Sequence, residues 1–479
     1  MSASLQRIAL TDAVVPSVPV PMAELLAVAR EYIDASRFDA ADRLLGHALT
    51  GAPTHAEALH LSGFVAFKRR RVDEAAALME RALAAGAQAP RQLCNLAEVY
   101  RVLGRVEEGL RLIRRASALA PTDATCHFNE AMLRYEAGDV DGCIRAARRA
   151  VALKADMPEA HMRLGQALLL NGELAEGWEE YEWRYRIAGA QPLMPATVAG
   201  RAPQWNGAAL PAGQRLLLIA DQGFGDVLMF ARYLPWVMAR AADVVVAASA
   251  DVIGLLGRMF PGPDYQTHWD AIGDHAAYCP FSGLPRLAGT RADSIPGHEP
   301  YVTAEPERRA AMAAWLEASL PTGAVKIGIA WAGRPTHNND HNRTVALATL
   351  LPLAAAPGTA FVSLQKGVAA AQLGDWRGPA PVIDAAARLH DFEDTAALIN
   401  CLDLVIAVDT SINHVAGALG RSAWVLTPFA PDWRWLGGRM QTPWYPSLRL
   451  YRQTDARRWD NVVAMLAEDL ARLAERPIT

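Results

Sequence analysis

Small residues recur every 34 positions through the first part of this chain. Ala29, Gly63, Ala97, Ala131 and Gly165 form one series, and Ala41, Ala75, Gly109, Cys143 and Gly177 form a second with the same step. Ala48, Ala82, Ala116 and Ala150 form a third. A period of this length belongs to a supersecondary unit, because helices and strands repeat over far fewer residues. Only Gly, Ala or Cys lets two helix backbones approach closely, so each unit is expected to be two antiparallel helices. One such unit cannot bury its apolar face alone, and neighbours must stack into a solenoid. Gly104, Gly138 and Gly172 mark the turns inside units, while Pro53 and Pro121 mark the hand-over between them. The spacing predicts five units over 22–191, after an N-terminal extension of 1–21.

Period, small-residue positions and inter-unit prolines resemble the tetratricopeptide repeat. The Trp of the repeat consensus is replaced by Leu25, Leu59, Leu93, His127 and His161. The resemblance implies a concave groove for a peptide or protein partner. Asn95 and Asn129 share one repeat phase on the first helix of their units. In the repeat arrays of O-linked N-acetylglucosamine transferases, an asparagine ladder at the corresponding phase grips peptide backbone, and an amide suits this because it both donates and accepts. Asn95 and Asn129 are therefore candidates for binding an acceptor peptide. Two rungs also fit a solvated helix face.

All 13 tryptophans lie at or beyond Trp178. In the last unit Trp178, Tyr181, Trp183 and Tyr185 crowd the second helix, and Arg184 stands where a small residue is due. A helix so loaded with aromatics needs a surface to pack on, so it is expected to dock against the second half of the chain. The stretch 192–212 reads as a linker rich in Pro, Gly and Ala.

From Arg215 the pattern becomes short apolar runs alternating with amphipathic stretches. Strands are expected at Leu216–Ala220, Val244–Ala247, Ile327–Trp331, Ala360–Leu364, Leu404–Val408 and Ala423–Thr427, and a helix at 306–319. Strand–helix alternation predicts parallel sheets wound by right-handed crossovers. The expected architecture is an α-helical solenoid followed by two α/β lobes, 213–320 and 321–479, with a cleft between them. Ligands of open α/β sheets lie at the carboxyl ends of strands.

Two motifs fall at such ends. In "ADQGFGDVLMF" a Gly-rich turn joins a strand to a helix, with Gly223 and Gly225 in the turn and Asp226 at the helix start. The third glycine of a dinucleotide fingerprint is missing, so the turn is better suited to carrying backbone and Asp226 to the cleft. An Asp there fits a helix cap or a general base. In "LVIAVDTSINHVAGALG" a strand ends in Asp409, Thr410 and Ser411, and a helix starts at once carrying His414. Free N–H groups at a helix start, beside two hydroxyls, suit an anion. Ordinary capping also fits Asp409 to Ser411, but leaves the convergence of acid, hydroxyls and imidazole unexplained.

These segments, with "GIAWAG", "HNRT" and "FVSLQKG", resemble the heptosyltransferase-type family of GT-B glycosyltransferases, over roughly 215–235 and 325–436. The resemblance implies two Rossmann-like lobes, a nucleotide-sugar bound mainly by the second, and inversion at the anomeric carbon. It assigns Asp226 as the catalytic base. Gln222, Gly223, Gly225, Trp331, Gly333, Arg343, Gln365, Lys366, Asp409, Thr410, Ser411 and His414 become the donor-binding set. Arg343 or Lys366 would take the basic contact to the diphosphate. Lysine is scarce in this chain, and Lys366 follows a strand end, where a point charge would stabilise a leaving diphosphate; a solvated loop lysine is the other reading. Trp331 either stacks on sugar or base, or closes the core. The segments differ enough from heptosyltransferases that heptose is not implied.

Composition limits the alternatives. A net charge of −4 offers no basic field for nucleic acid, and no apolar run is long enough to span a membrane. Five cysteines without CxxC spacing read as reduced fillers, and Asp12, Pro16, Pro19 and Pro21 interrupt any secretory signal, so the expected location is cytoplasmic. His337, Asp340 and His341 lack the order of a zinc site, and the Asp139–Asp141 pair falls in an inter-helix turn. No metal and no cofactor beyond the nucleotide-sugar co-substrate are expected. The resulting expectation is an inverting, metal-independent glycosyltransferase acting on a hydroxyl of a protein presented by the repeats. Its rival is a repeat scaffold whose transferase half is silent.

Overall fold

The computed structural model describes residues 20–200, 202–297, 300–337 and 339–474. Most of the expected extension at 1–21 lies outside the described residues. The chain divides into two compact units, one ending at Leu164 and the other starting at Gly165.

The first unit is a stack of helix pairs: α1 (Met22–Asp34) with α2 (Phe38–Gly51), α3 (Ala56–Lys68) with α4 (Val72–Ala84), α5 (Pro90–Val102) with α6 (Val106–Leu119), and α7 (Ala124–Glu136) with α8 (Val140–Leu153). The periodic small residues sit at the crossings. Ala29, Ala41, Ala75, Ala97, Ala116, Ala131 and Cys143 are fully buried. At Gly63 a Cβ would lie 2.6 Å from Met79 Cγ, and at Gly109 2.7 Å from Leu133 Cδ2. The turns inside units close with a residue at positive φ, Gly104 at 76° and Gly138 at 72°. At the same phase Ser36 and Arg70 adopt φ of 57° and 64°. Asp139 caps α8 by accepting the Gly142 N–H at 2.8 Å, as befits a turn residue.

The second unit opens with the end of α9 (Pro158–Asn171) and α10 (Leu174–Tyr181), followed by a 3-10 turn at Glu182–Arg186. Among the described residues it contains two sheets. The first has the order β3 (Asp264–Gln266), β2 (Asp243–Ala247), β1 (Arg215–Ile219), β4 (Ala277–Pro280), all parallel. The second has seven strands: β10 (Gln441–Thr442), β11 (Tyr445–Arg452), β9 (Ala423–Thr427), β8 (Leu404–Val408), β5 (Val325–Ala330), β6 (Thr359–Ser363) and β7 (Val382–Asp384). Every neighbour is parallel except the β10–β11 hairpin. The principal helices are α11 (Phe224–Phe230), α12 (Ala250–Met259), α13 (Pro306–Ser319), α14 (Phe392–Asn400), α15 (Ser411–Ala418) and α16 (Asp460–Ala474).

All six strands expected from the apolar runs are present, and α13 spans the expected 306–319. The short β3, β7 and β10, together with β4 and the eight-residue β11, lacked a run that announced them. Two details differ from the sequence reading. Part of the stretch read as a linker is built into the first sheet: Trp205 is buried, its backbone N–H donates to the Tyr278 carbonyl at 2.7 Å, and Met194 joins the core beside Leu217 and Ile219. Helix α13, placed by sequence in the first lobe, packs on the second sheet's α14, where Arg308 pairs with Asp391 and Asp394 at 2.8 Å.

The aromatics of α10 are buried within the second unit. Trp178 packs edge-on against Trp433 (centroids 5.1 Å), Trp444 (6.3 Å) and Phe230 (6.4 Å). Arg184 donates to the Ser282 hydroxyl at 2.6 Å, and Tyr185 donates to Asp221 at 2.9 Å. Among the described residues no helix is long and apolar enough to cross a membrane.

Candidate functional site

The ends of β1 and β8 meet through two helices. Gly225 lies in the first turn of α11, and a Cβ there would sit 2.6 Å from Cδ2 of His414 on α15. Glycine is required at this point because the imidazole rests on its backbone. His414 is itself buried; its Nδ1 is 3.0 Å from the Tyr445 hydroxyl and its ring lies 5.4 Å from that of Trp435. Burial, reinforced by Arg434, pushes its pKa down to about 3, so it is a neutral imidazole at ordinary pH.

Asp226 stands in the first turn of α11, where its Oδ2 accepts the Gly223 N–H at 3.1 Å. Its Oδ1 accepts Nε of Arg434 at 2.7 Å and also an Nη2 proton of the same guanidinium. That guanidinium donates to Gln222 Oε1 at 2.9 Å, while Gln222 donates onward to the Tyr181 hydroxyl at 3.2 Å. On its own side Arg434 is held by Asp432 at 2.6 Å and stacks over Trp433 at 4.2 Å. Burial raises the Asp226 pKa, with Arg434 opposing it. Burial also acts to raise Asp432, but there Arg434 prevails and holds it below the usual carboxylate range.

At the end of β8, burial and the nearby Asp432 push Asp409 up to about 6, against the pull of Arg343 and Arg434. Arg343 donates to the Asp409 carbonyl at 3.0 Å and to Asp340 at 3.2 Å. Gly333 makes room for this arrangement, since a Cβ there would lie 2.6 Å from the Arg343 Nη2. Thr410 is the N-cap of α15 but makes no side-chain capping bond, and its buried Oγ1 has no partner. Asn413, wholly buried one turn in, donates to the Val408 carbonyl at 2.8 Å and leaves its Oδ1 without one. Ordinary side-chain capping by Thr410 is thereby removed as an account of this segment. Ser411, half-buried, begins the helix.

Other members of the expected set have structural duties. Trp331 has no exposed surface and packs in the core of the second sheet. Gln365, also buried, staples β5 to β6: its Oε1 accepts the N–H groups of Trp331 and Ala332 at 3.0 and 2.9 Å, and its Nε2 donates to the Ala332 carbonyl at 3.1 Å. Lys366 is exposed and donates to the Leu389 carbonyl, with no bond to the Arg343–Asp409 group. In the first unit, the Asn95 amide is 3.2 Å from His60 Nε2, and Asn129 is half-buried on α7. No group of three or more His, Cys, Asp or Glu among the described residues is arranged to hold a metal ion.

Sequence reasoning missed Arg434 and Asp432, which organise the centre of the site. A signal was available in "APDWRW", because an arginine between two large apolar residues is carried into the interior and needs carboxylates there. It missed Tyr445 and Arg232 as well. Buried Arg232 donates to the Trp444 carbonyl at 2.9 Å and lies over the rings of Tyr301 and Tyr445, backing His414 from behind.

Residues 26–90, 63–124 and 128–191 match the family model described as Tetratricopeptide repeat, so the chain carries such repeats over that region. Over 411 residues the chain is 28% identical to Protein FlbA of Caulobacter vibrioides, covering 79% of this chain and 65% of that protein. The chain thus spans just under two thirds of that relative's length. Among solved structures it is similar to a thermophilic TPR protein of Thermus thermophilus (23% identical, 35% of this chain and 92% of that one, TM-score 0.31). It is also similar to pilF of Pseudomonas aeruginosa (18%, 36% and 78%, TM-score 0.33).

Proposed function

We propose that the α/β half is an inverting, metal-independent glycosyltransferase of the GT-B type that takes a nucleotide-sugar donor, and that the repeats present its protein acceptor. The observation that carries this reading is the meeting, at the ends of β1 and β8, of a carboxylate raised by burial with a helix start whose buried hydroxyl lacks a partner, beside Arg343 and Arg434. Asp226 would take the proton of an acceptor hydroxyl as its oxygen attacks the anomeric carbon. The bond to the departing nucleoside diphosphate breaks, and the two guanidinium groups with the start of α15 stabilise its charge. His414, neutral and held by Tyr445, keeps the two helices at their spacing and is positioned to donate only if Tyr445 donates to Nδ1.

Incubation of the full chain with a panel of nucleotide-sugars, followed by intact mass of co-purified proteins, tests this. Addition of one hexose or larger mass to an acceptor, lost in Asp226→Asn, is the expected result. Absence of transfer from every donor, with no nucleoside diphosphate bound, would falsify it. One observation favours a second reading, a scaffold with a silent transferase half: Asp226 is occupied by Arg434 in this conformation. Binding of a nucleoside diphosphate without transfer would support that reading.

A further inference from the structure

The Asp226–Arg434 pair joins a loop of the first sheet to a turn of the second. Its geometry divides the arginine's bonds into two sets. Asp432 accepts both the Arg434 backbone N–H at 3.0 Å and the Nη1 proton at 2.6 Å, so it anchors the residue within its own turn. Trp433 and Trp435 on either side are buried and hold that turn in place. The remaining donors, Nε and Nη2, go to Asp226 and Gln222 of the other sheet. The guanidinium is thus fixed, and what can move is the carboxylate of Asp226, by rotation of one short side chain. This matters for charge. Arg343 and Arg434 face four carboxylates, Asp226, Asp340, Asp409 and Asp432, and while Asp226 occupies the fork Arg434 has no free edge to offer a dianion. A planar fork that holds a carboxylate holds phosphate oxygens equally well.

We propose that Arg434 is a diphosphate-binding residue that in the empty site is masked by Asp226, so that the donor displaces the carboxylate and in doing so frees it to accept the acceptor's proton. This rests on the glycosyltransferase reading and adds an order to it: the donor binds first, and the base is available only afterwards. The guanidinium stays charged throughout and exchanges one anionic partner for another. Gln222 follows either partner, since its amide can both donate and accept. An acceptor arriving first would meet a carboxylate already paired with Arg434 and would keep its proton until the donor had bound.

Calorimetric titration of the full chain with UDP, GDP, ADP, CDP, TDP and inorganic pyrophosphate tests the mask. A ligand has to compete with Asp226, so Asp226→Asn, which keeps the cap on Gly223 but removes the charge, should tighten binding roughly tenfold by abolishing the cost of unmasking. Arg434→Gln should weaken binding at least tenfold, and Asp226→Asn should bring no gain in that background. Arg434→Lys keeps the charge without the fork and should fall between; it carries the test if Arg434→Gln melts early. A ligand that binds the parent and ignores both substitutions overturns the mask and leaves the donor site standing. Weaker binding in Asp226→Asn than in the parent also overturns the mask. No binding to either the parent or Asp226→Asn overturns the mask and the donor reading together. Binding to Asp226→Asn alone supports the mask in its strongest form.

Discussion

The two units bury their interiors by different means, and charges show it most clearly. The helical stack carries ion pairs on its surface: Arg105 pairs with Glu80 and Glu108, and Arg71 with Asp42 and Glu74, all with side chains about a third or more exposed. Between its helices are mainly small residues and aliphatic side chains, with Tyr100 and His60 among the few exceptions. In the α/β unit, Arg232, Glu393 and Arg434 are carried inside and clamp one sheet to the other. An exposed pair is nearly neutral for stability, because solvent screens the attraction and two long side chains lose freedom. A buried pair broken by removing one partner leaves an uncompensated charge. The exposed ion pairs of the stack are therefore dispensable, whereas the buried ones of the α/β unit are part of how its two sheets hold together.

The largest effect should come from breaking one such clamp. Arg258 of α12 holds Glu393 of α14 with Nε to Oε1 at 2.7 Å and Nη2 to Oε2 at 2.8 Å, and the Glu393 side chain is only 7% exposed. Arg258→Ala should cost about 3 kcal/mol in urea unfolding of the α/β unit. Arg105→Ala, which removes three hydrogen bonds to the half-exposed Glu80 and Glu108, should cost under about 1 kcal/mol. Equal costs would abolish the distinction.

Acidity offers the next test, since each unit buries a titrating group of opposite sign. Asp409 rises from its ordinary value to about 6. Its contribution is fully favourable below about pH 4 and is lost as pH rises through about 6. Asp409→Asn should therefore stabilise at pH 8 by up to about 2 kcal/mol and change little at pH 4. In the stack, His60 is lowered to about 4 by burial, with Glu57 opposing and Arg91 assisting. Its contribution is complete above about pH 6.5 and lost as pH falls through about 4. His60→Gln, which keeps a partner for Asn95, should flatten the acid limb of the stack's stability between those values and leave pH 8 nearly unchanged. Thermal melts at pH 4, 6 and 8 read both.

The same contrast explains what was legible in the sequence. The stack's rules are local and repeat every 34 residues, so Ala97 or Gly109 could be placed without any structure. The strands of the two sheet centres, buried on both faces, showed as apolar runs. Strand β11 did not, because polar Ser447, Arg449 and Arg452 interrupt its apolar residues as one face turns outward. Trp331 and Gln365 sat at the right strand ends, but sequence could not say whether such side chains face the ligand or the core. Asp226 and Arg434 are 208 positions apart, and only the folded chain brings them to one point. Periodicity finds packing, while a site made of unrelated loops has no period to find.

Glycines extend the comparison to smaller effects. At Gly417 of α15 a Cβ would lie 2.4 Å from ring carbons of the buried Tyr445, which cannot retreat without moving β11. Gly417→Ala should destabilise the α/β unit by about 2 kcal/mol. Gly46 of α2 is exposed and a Cβ there meets nothing within 4 Å. Gly46→Ala should stabilise the stack by about 0.5–1 kcal/mol through helix propensity alone.

The smallest effect tests the repeat itself. Positions 36, 70, 104, 138 and 172 are one phase, and the last three are glycines with φ of 76°, 72° and 88°. Arg70 and Ser36 occupy the same left-handed turn at 64° and 57°. For an ordinary side chain this conformation costs about 1 kcal/mol, because Cβ crowds the following carbonyl. The turn is nevertheless kept, since the N–H groups of Arg70 and Arg71 close α3 on the carbonyls of Phe67 and Ala66 at 3.0 and 2.9 Å. Arg70→Gly relieves the crowding but also loosens the unfolded chain, which returns part of the gain. The net expectation is a stabilisation of about 0.5 kcal/mol, measurable as a small shift in urea midpoint with unchanged slope, and Ser36→Gly should follow in the same direction. A loss at both positions would mean that the side chains, rather than the repeat's backbone, hold these two turns.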